Sequence, residues 1–156
     1  LRSKNSIEII NNILFCHGGI SANYIKNKES IETTNKNILK AIEHFDISKE
    51  MNKDDTFYKY LNMESPLWYR GYFEDWSDYK KATQSEVDAV CNFYKVKKII
   101  VGHTIVEEIK THFNGKVIGI DVTRHYDNKK NKPSALLIEN NKYFAVDELG
   151  RKFLIK

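Results

Sequence analysis

Two lysines, a short apolar run and a glycine-histidine pair follow one another in Lys97-Lys98-Ile99-Ile100-Val101-Gly102-His103. A short run that is apolar at every position is typical of a parallel strand buried on both faces. The strand ends where the glycine begins, so we expect His103 at the carboxyl edge of a sheet. Ligands of open α/β sheets bind at that edge.

An earlier stretch has the same arrangement. The apolar run Ile13-Leu14-Phe15-Cys16 ends at His17-Gly18-Gly19, and Asn11-Asn12 separates it from another apolar run at residues 7–10. This pattern predicts two short strands joined by a turn. The glycine pair removes two side chains, so a backbone or a ligand can approach closely. We therefore expect His17 and His103 at one edge of one sheet.

Helix signals surround these strands. Ser30 can cap a helix whose apolar residues fall on one face at helical spacing: Ile31, Ile38, Leu39, Ile42 and Phe45. A short helix is predicted at residues 57–61, before an aromatic segment at residues 66–73 that shows no periodicity.

Two capping-box patterns follow, at residues 83–86 and 104–107. The first predicts a helix before the 97–101 strand. The second predicts a helix directly after His103 that ends at Gly115, followed by a strand at residues 117–120 that ends at Asp121. Such an alternation of strands and helices indicates a βαβ unit.

The chain ends in strand signals of another kind. Residues 135–138 and 143–146 flank Asn140-Asn141, which is a favoured two-residue hairpin turn, and residues 153–155 supply a third strand. We expect an antiparallel meander here, with residues 127–132 as an exposed loop.

Composition limits the possible classes of protein. The 156 residues, 41% of them hydrophobic, are enough for one domain or most of one. A net charge of +4 is too small to indicate nucleic-acid binding. Cys16 and Cys91 lie in apolar runs, so we expect neither a disulfide scaffold nor a cysteine zinc site. No apolar run is long enough to span a membrane. The chain begins at Leu1, which predicts a truncated start and leaves both cytoplasm and periplasm open.

Several residues could carry chemistry. His17 and His103 are suited to bind zinc, iron or manganese, although each is also compatible with a structural strand-end histidine. Arg70 lies among Trp68, Tyr69 and Tyr72, whose rings could hold its guanidinium for contact with phosphate or could simply stack on it at the surface. Other aromatic residues are interpreted as packing.

Two further residues could support the histidines. Asp121 either accepts a hydrogen bond from a ligating histidine or caps the loop that follows it. His125, in the same loop, is the next residue that could join the site.

These segments together resemble a known family. Residues 15–21, around His17, resemble the histidine motif of the calcineurin-like metallophosphoesterase superfamily, closest to the bacterial members of its phosphoprotein phosphatase branch. Residues 100–104 resemble its later glycine-histidine motif, and residues 66–71 resemble the segment between them. The three motifs occur in the family's order. Ile105 follows Thr104 where many members outside this branch have a second histidine.

The resemblance implies a fold and a site. The chain would be the C-terminal half of an αββα sandwich with a mixed sheet, a single partial domain over residues 1–156. His17 and His103 would ligate one of two metal ions, manganese, iron or zinc, and Arg70 would hold the substrate phosphate. The family's upstream motifs, which supply the bridging aspartate, the other ligands and the acid histidine, have no counterpart here. No catalytic residue is therefore expected within this chain.

The expected function is hydrolysis of phosphomonoesters through a metal-bound hydroxide, with phosphoserine, phosphothreonine or phosphotyrosine in proteins, or a small molecule, as substrate. The missing half would come from the same chain or from a partner, and the chain alone is expected to be inactive. Two alternatives stay open: a non-enzymatic module that binds RNA or another polyanion, and a degenerate phosphatase-like subunit.

Overall fold

A computed structural model describes residues 4–44, 56–122 and 134–155 as three helices, one 3-10 turn and two β-sheets. The helices and the turn comprise α1 (Ile31–His44), α2 (Tyr58–Leu61), α3 (Gln84–Tyr94) and the 3-10 turn Tyr24–Asn27. The strands are β1 (Ile7–Ile10), β2 (Ile13–Cys16), β3 (Lys98–Val101), β4 (Thr111–His112), β5 (Val117–Gly119), β6 (Ser134–Glu139), β7 (Lys142–Asp147) and β8 (Lys152–Leu154).

The larger sheet is mixed and has the strand order β1-β2-β3-β5-β4. Its three central strands are parallel, and their last residues pair across the sheet as Cys16 with Val101 and Val101 with Gly119. The two edge strands are antiparallel to their neighbours. The residues that directly follow β2, β3 and β5 therefore lie at one edge of the sheet.

Side chains alternate between the two faces of this sheet, as the period of a strand requires. Leu14, Ile99 and Val117 point into the larger core, where α1 and α3 also contribute buried residues. Ile100 and Ile118 point to the other face and form a smaller core with residues of the antiparallel sheet. Helices and meander thus cover opposite faces of one central sheet.

The two predicted longer helices are present. The capping box of α3 is complete, because the Thr83 side chain accepts from the Glu86 backbone while the Glu86 carboxylate accepts from the Thr83 N–H. In α1 the buried face is Thr34, Ile38 and Ala41. Ile42, predicted to be on the apolar face, is 46% exposed. Phe45 lies outside the described residues.

The helix predicted after His103 is wrong. Described residues 102–110 contain no helix, and Val106 instead forms a parallel bridge with Val122. The segment then continues into β4, which pairs with β5. Ile109 is buried in the smaller core. Tertiary pairing and burial have overridden the local capping-box signal.

The predicted C-terminal meander is confirmed. Strands β6, β7 and β8 form a separate antiparallel sheet, and Asn140 and Asn141 both have the positive φ that a type I′ hairpin turn requires. The fold class is therefore the expected mixed α/β arrangement with an antiparallel end. The polar run at 127–132 lies outside the described residues. Within the described ranges, none of the helices is long and apolar enough to cross a bilayer.

Candidate metal-binding site at the sheet edge

The two histidines at the strand ends meet. The ring centroids of His17 and His103 are 4.8 Å apart, with an interplanar angle of 55°. His17 follows β2 and His103 follows β3 after one glycine, and these strands pair directly. Rings this close can reach a common point from two sides. Neighbouring parallel strands thus bring together side chains that are far apart in the sequence.

The backbone of His103 is held in an unusual conformation. Its φ is +60°, in the left-handed region that residues other than glycine adopt only uncommonly. The guanidinium of Arg70 donates to the His103 carbonyl at 3.2 Å, and the N–H of Gly102 donates to the His17 carbonyl at 2.9 Å. Such backbone geometry persists where the surrounding structure fixes it, and it is concentrated at functional sites.

The His103 imidazole has an unsatisfied polar atom. Its Nε2 is buried, and no described residue provides a hydrogen-bond partner for it. Burial lowers the pKa of His103, and its electrostatic interactions with Arg70 and His17 lower it further, while Asp121 and a hydrogen bond with the Trp68 backbone act in the opposite direction. Both effects favour the neutral imidazole, which is the form that ligates metals. A cation at Nε2 would satisfy the atom.

A neighbouring segment of backbone packs against the glycine pair that follows His17. The N–H groups of Gly18 and Gly19 both donate to the Pro66 carbonyl, at 2.8 and 3.3 Å. A Cβ on Gly18 would lie 2.8 Å from the Tyr69 nitrogen and 2.9 Å from the Trp68 nitrogen. The aromatic segment therefore packs directly on the end of β2, which places Trp68 and Arg70 beside the histidines.

The aromatic contacts of this segment differ from the prediction. Tyr69 and Tyr72 do not hold the Arg70 side chain, because both rings are buried in the larger core. Trp76 takes that position instead, with the Arg70 guanidinium carbon 5.3 Å from its ring centroid. Trp68 contacts His103 edge to face at 5.3 Å. In the sequence, the signal for this contact is the closeness of Trp76 to Arg70 along the chain, a pattern that equally fits an aromatic residue used for packing.

Of the two supporting residues, only Asp121 can be placed. It is exposed, follows β5 after Ile120, and its carbonyl accepts from the Val106 N–H at 2.8 Å. Its charge acts on His103, but no described hydrogen bond joins the Asp121 carboxylate to that ring. His125 lies outside the described residues.

The histidine pair alone would form only part of a metal site. In residues 4–44, 56–122 and 134–155 no group of three or more histidine, cysteine, aspartate or glutamate side chains is arranged to hold a metal ion. Two imidazoles leave at least two positions of a tetrahedral ion open. A groove of about 580 Å³ borders His17, and its lining combines apolar residues such as Phe15 and Ile120 with polar ones such as Glu8.

Comparison with solved structures gives matches over the whole chain. A cold-active protein-tyrosine phosphatase of a psychrophilic Shewanella species superposes with a TM-score of 0.84 and 30% identity, over 100% of this chain and 44% of that one. A protein serine/threonine phosphatase from Saccharomyces cerevisiae superposes with a TM-score of 0.54 at 17% identity, over 99% of this chain and 46% of that one. The second likeness concerns the fold alone.

One curated protein adds a match in sequence. Shewanella-like protein phosphatase 1 of Plasmodium berghei is 33% identical over 95 residues, which is 61% of this chain and 25% of that protein. The chain is similar to protein phosphatases. It spans less than half the length of each of these relatives. No family model matches the chain.

These matches bear on the expected fold. The chain corresponds to the C-terminal portion of a phosphatase fold, with its mixed sheet and its antiparallel sheet. The predicted fold class is thereby confirmed. The roles of the site residues and the identity of the metals stay predictions.

Proposed function

We propose that the protein containing this chain is a metal-dependent phosphatase that hydrolyses phosphomonoesters. The observation that carries the proposal is the pair of imidazoles 4.8 Å apart at the ends of adjacent parallel strands, one with a buried Nε2 for which no described residue is a hydrogen-bond partner. The likeness to protein phosphatases at 30 to 33% identity supports the same reaction class.

Each site residue has a proposed task. His17 and His103 would hold one metal ion, manganese, iron or zinc, of the two that the proposed site requires. Trp68 restrains the His103 ring by its edge-to-face contact. Arg70 presents a planar guanidinium, three-quarters buried along its side chain, that can donate to two phosphate oxygens at once. Asp121 keeps negative charge near the imidazoles.

The metal ions supply what the side chains lack: they stabilise charge on phosphoryl oxygens and lower the pKa of water. The remaining ligands and the acid come, in this proposal, from polypeptide beyond these residues, in the same chain or in a partner. The chain by itself therefore has little or no phosphatase activity. Its substrate is a phosphorylated protein, on serine, threonine or tyrosine, or a small phosphomonoester.

Metal content tests the proposal. In the full-length protein, His17→Ala removes one ligand, and we expect about one equivalent of metal to be lost or its affinity to fall steeply. His44→Ala is the matched control, because His44 is also exposed but lies on α1, where its Nδ1 bonds to the Lys40 carbonyl. Metal is measured by atomic emission on purified protein, and activity by release of phosphate from a phosphomonoester.

Two results would count against the proposal. Unchanged metal content and affinity in His17→Ala would remove the histidine from the site. A wild-type protein that binds no metal and hydrolyses no phosphomonoester would favour the degenerate subunit, and binding of RNA that weakens steeply with salt would favour the polyanion-binding module.

A further inference from the structure

A compact loop follows Arg70 and folds back toward it. Its base is closed where the Ala82 N–H donates to the Gly71 carbonyl at 2.7 Å, and its tip is closed by a bridge between Trp76 and Tyr79. The Lys81 N–H donates to the Asp75 carboxylate at 2.8 Å. These bonds fix residues 71–82 as one unit against the end of the aromatic segment.

The loop contacts Arg70 at two points. Tyr79 accepts the Arg70 backbone N–H at its hydroxyl, at 2.9 Å, which fixes the backbone. The guanidinium lies over the Trp76 ring, with its central carbon 5.3 Å from the ring centroid. Both contacts come from the two residues that form the bridge at the tip. The loop thus contacts both the backbone and the side chain of Arg70.

The other contacts of the guanidinium leave it loosely held. Among the described residues it donates to the His103 carbonyl at 3.2 Å, and its ion pair with Glu74 is 4.0 Å long, with 24% of the Arg70 side chain and 45% of the Glu74 side chain exposed. An ion pair of that length between partly exposed side chains contributes little. One hydrogen bond fixes one nitrogen but leaves the plane of the guanidinium free to rotate. An aromatic ring packed against the guanidinium would limit this rotation.

We propose that Trp76 is a positioning residue that fixes the plane of the Arg70 guanidinium beside the histidine pair, so that its free N–H groups face a bound phosphate. The phosphate part of this inference rests on the proposed function, whereas the restraint on Arg70 does not. Trp76 is 38% exposed, so its ring is not needed to fill the core. The position of Trp76 at the surface is consistent with a role in contacting Arg70.

Three variants of the full-length protein distinguish the effect of an aromatic ring face at position 76 from the effect of side-chain volume. Trp76→Phe keeps a π face, Trp76→Leu keeps apolar volume without one, and Trp76→Ala removes both. Phe93→Ala is the matched control, because Phe93 has the same 38% exposure but packs on Tyr94 in α3. We expect Trp76→Leu and Trp76→Ala to raise KM for a phosphomonoester, and the inhibition constant of inorganic phosphate, about fivefold. The kcat should change less than twofold, and Trp76→Phe should recover most of the loss.

A second readout does not depend on activity. Phenylglyoxal modifies arginine side chains, and its rate at Arg70 can be followed by mass spectrometry of the peptide. A guanidinium stacked on a ring is shielded, so we expect Arg70 to react several times faster in Trp76→Leu than in wild type or Phe93→Ala. Faster modification in a protein that hydrolyses no phosphomonoester would support the restraint on Arg70 and refute the proposed function.

Two outcomes would overturn the inference. Equal KM values and equal Arg70 modification rates in Trp76→Leu and Trp76→Phe would show that the ring face has no part in fixing Arg70. A fall in kcat at unchanged KM and unchanged Arg70 reactivity would assign Trp76 a general structural role.

Discussion

Replacement of Gly18 by alanine should disrupt the contact between the end of β2 and the aromatic segment. A Cβ there would lie 2.8 Å from the Tyr69 nitrogen, 2.9 Å from the Trp68 nitrogen and 2.9 Å from the Leu67 carbonyl carbon. All three are backbone atoms, so no side chain can rotate away. Gly18 is buried, and its neighbours are fixed by the larger core. The segment itself must therefore move.

The cost follows from two terms. Overpacking of a well-packed site costs about 1 to 3 kcal/mol. Movement of the segment also weakens the hydrogen bonds from Gly18 and Gly19 to the Pro66 carbonyl, and the loss of one such bond costs about 1 kcal/mol. We expect Gly18→Ala to lower the free energy of unfolding by about 2 to 4 kcal/mol.

Gly102→Ala is the control for this measurement. A Cβ on Gly102 would meet the His17 carbonyl oxygen at 3.7 Å, an ordinary contact, and neither glycine has a positive φ. The free energies of unfolding are compared by urea denaturation of the two variants and the wild type. If both variants are equally stable, within about 0.5 kcal/mol, the close approach of the segment to Gly18 is not what the packing requires.

Two further predictions concern the core. Ile38→Ala should destabilise the protein by about 2 to 4 kcal/mol, because Ile38 is fully buried. Ile42→Ala, at an exposed position on the same helix, should cost less than about 0.5 kcal/mol. If the two variants lower the urea midpoint equally, the assigned buried face of α1 is wrong. Burial raises the pKa of Tyr72 well above its usual value of 10, so its contribution to stability is complete below pH 10 and is lost as the pH rises beyond it. Tyr72→Phe, which loses two hydrogen bonds to Ile20, should be less stable than wild type at pH 8 but show a shallower loss between pH 9 and 11; parallel curves would refute this.

Elements whose signal is local could be predicted from the sequence. The hairpin turns at Asn11-Asn12 and Asn140-Asn141 have the positive φ that asparagine tolerates, and the Thr83 capping box forms as expected. The pattern at Thr104 has the same spacing, yet no helix follows. What decides this segment is its pairing with Val122, which no local window contains.

In the candidate site, too, local features could be predicted from the sequence, whereas contacts between distant segments could not. The strand-end positions of His17 and His103 are local features, and the parallel register of their strands brings the rings together. The contact of Trp76 with Arg70 could not be predicted, because it depends on how the loop at residues 71–82 folds back. The orphaned Nε2 of His103 likewise depends on burial, and burial of a single atom has no signature in a sequence.

The pairing of β2 with β3 joins residues 13–16 to residues 98–101, and it therefore closes a long loop. Such a contact has a large entropic cost that must be overcome before the contact stabilises anything, and folds rich in them form slowly. The two imidazoles meet only in molecules that have completed this step. A cation shared by the two imidazoles would bind only chains in which β2 and β3 are paired. By mass action it would therefore shift the folding equilibrium toward the native state.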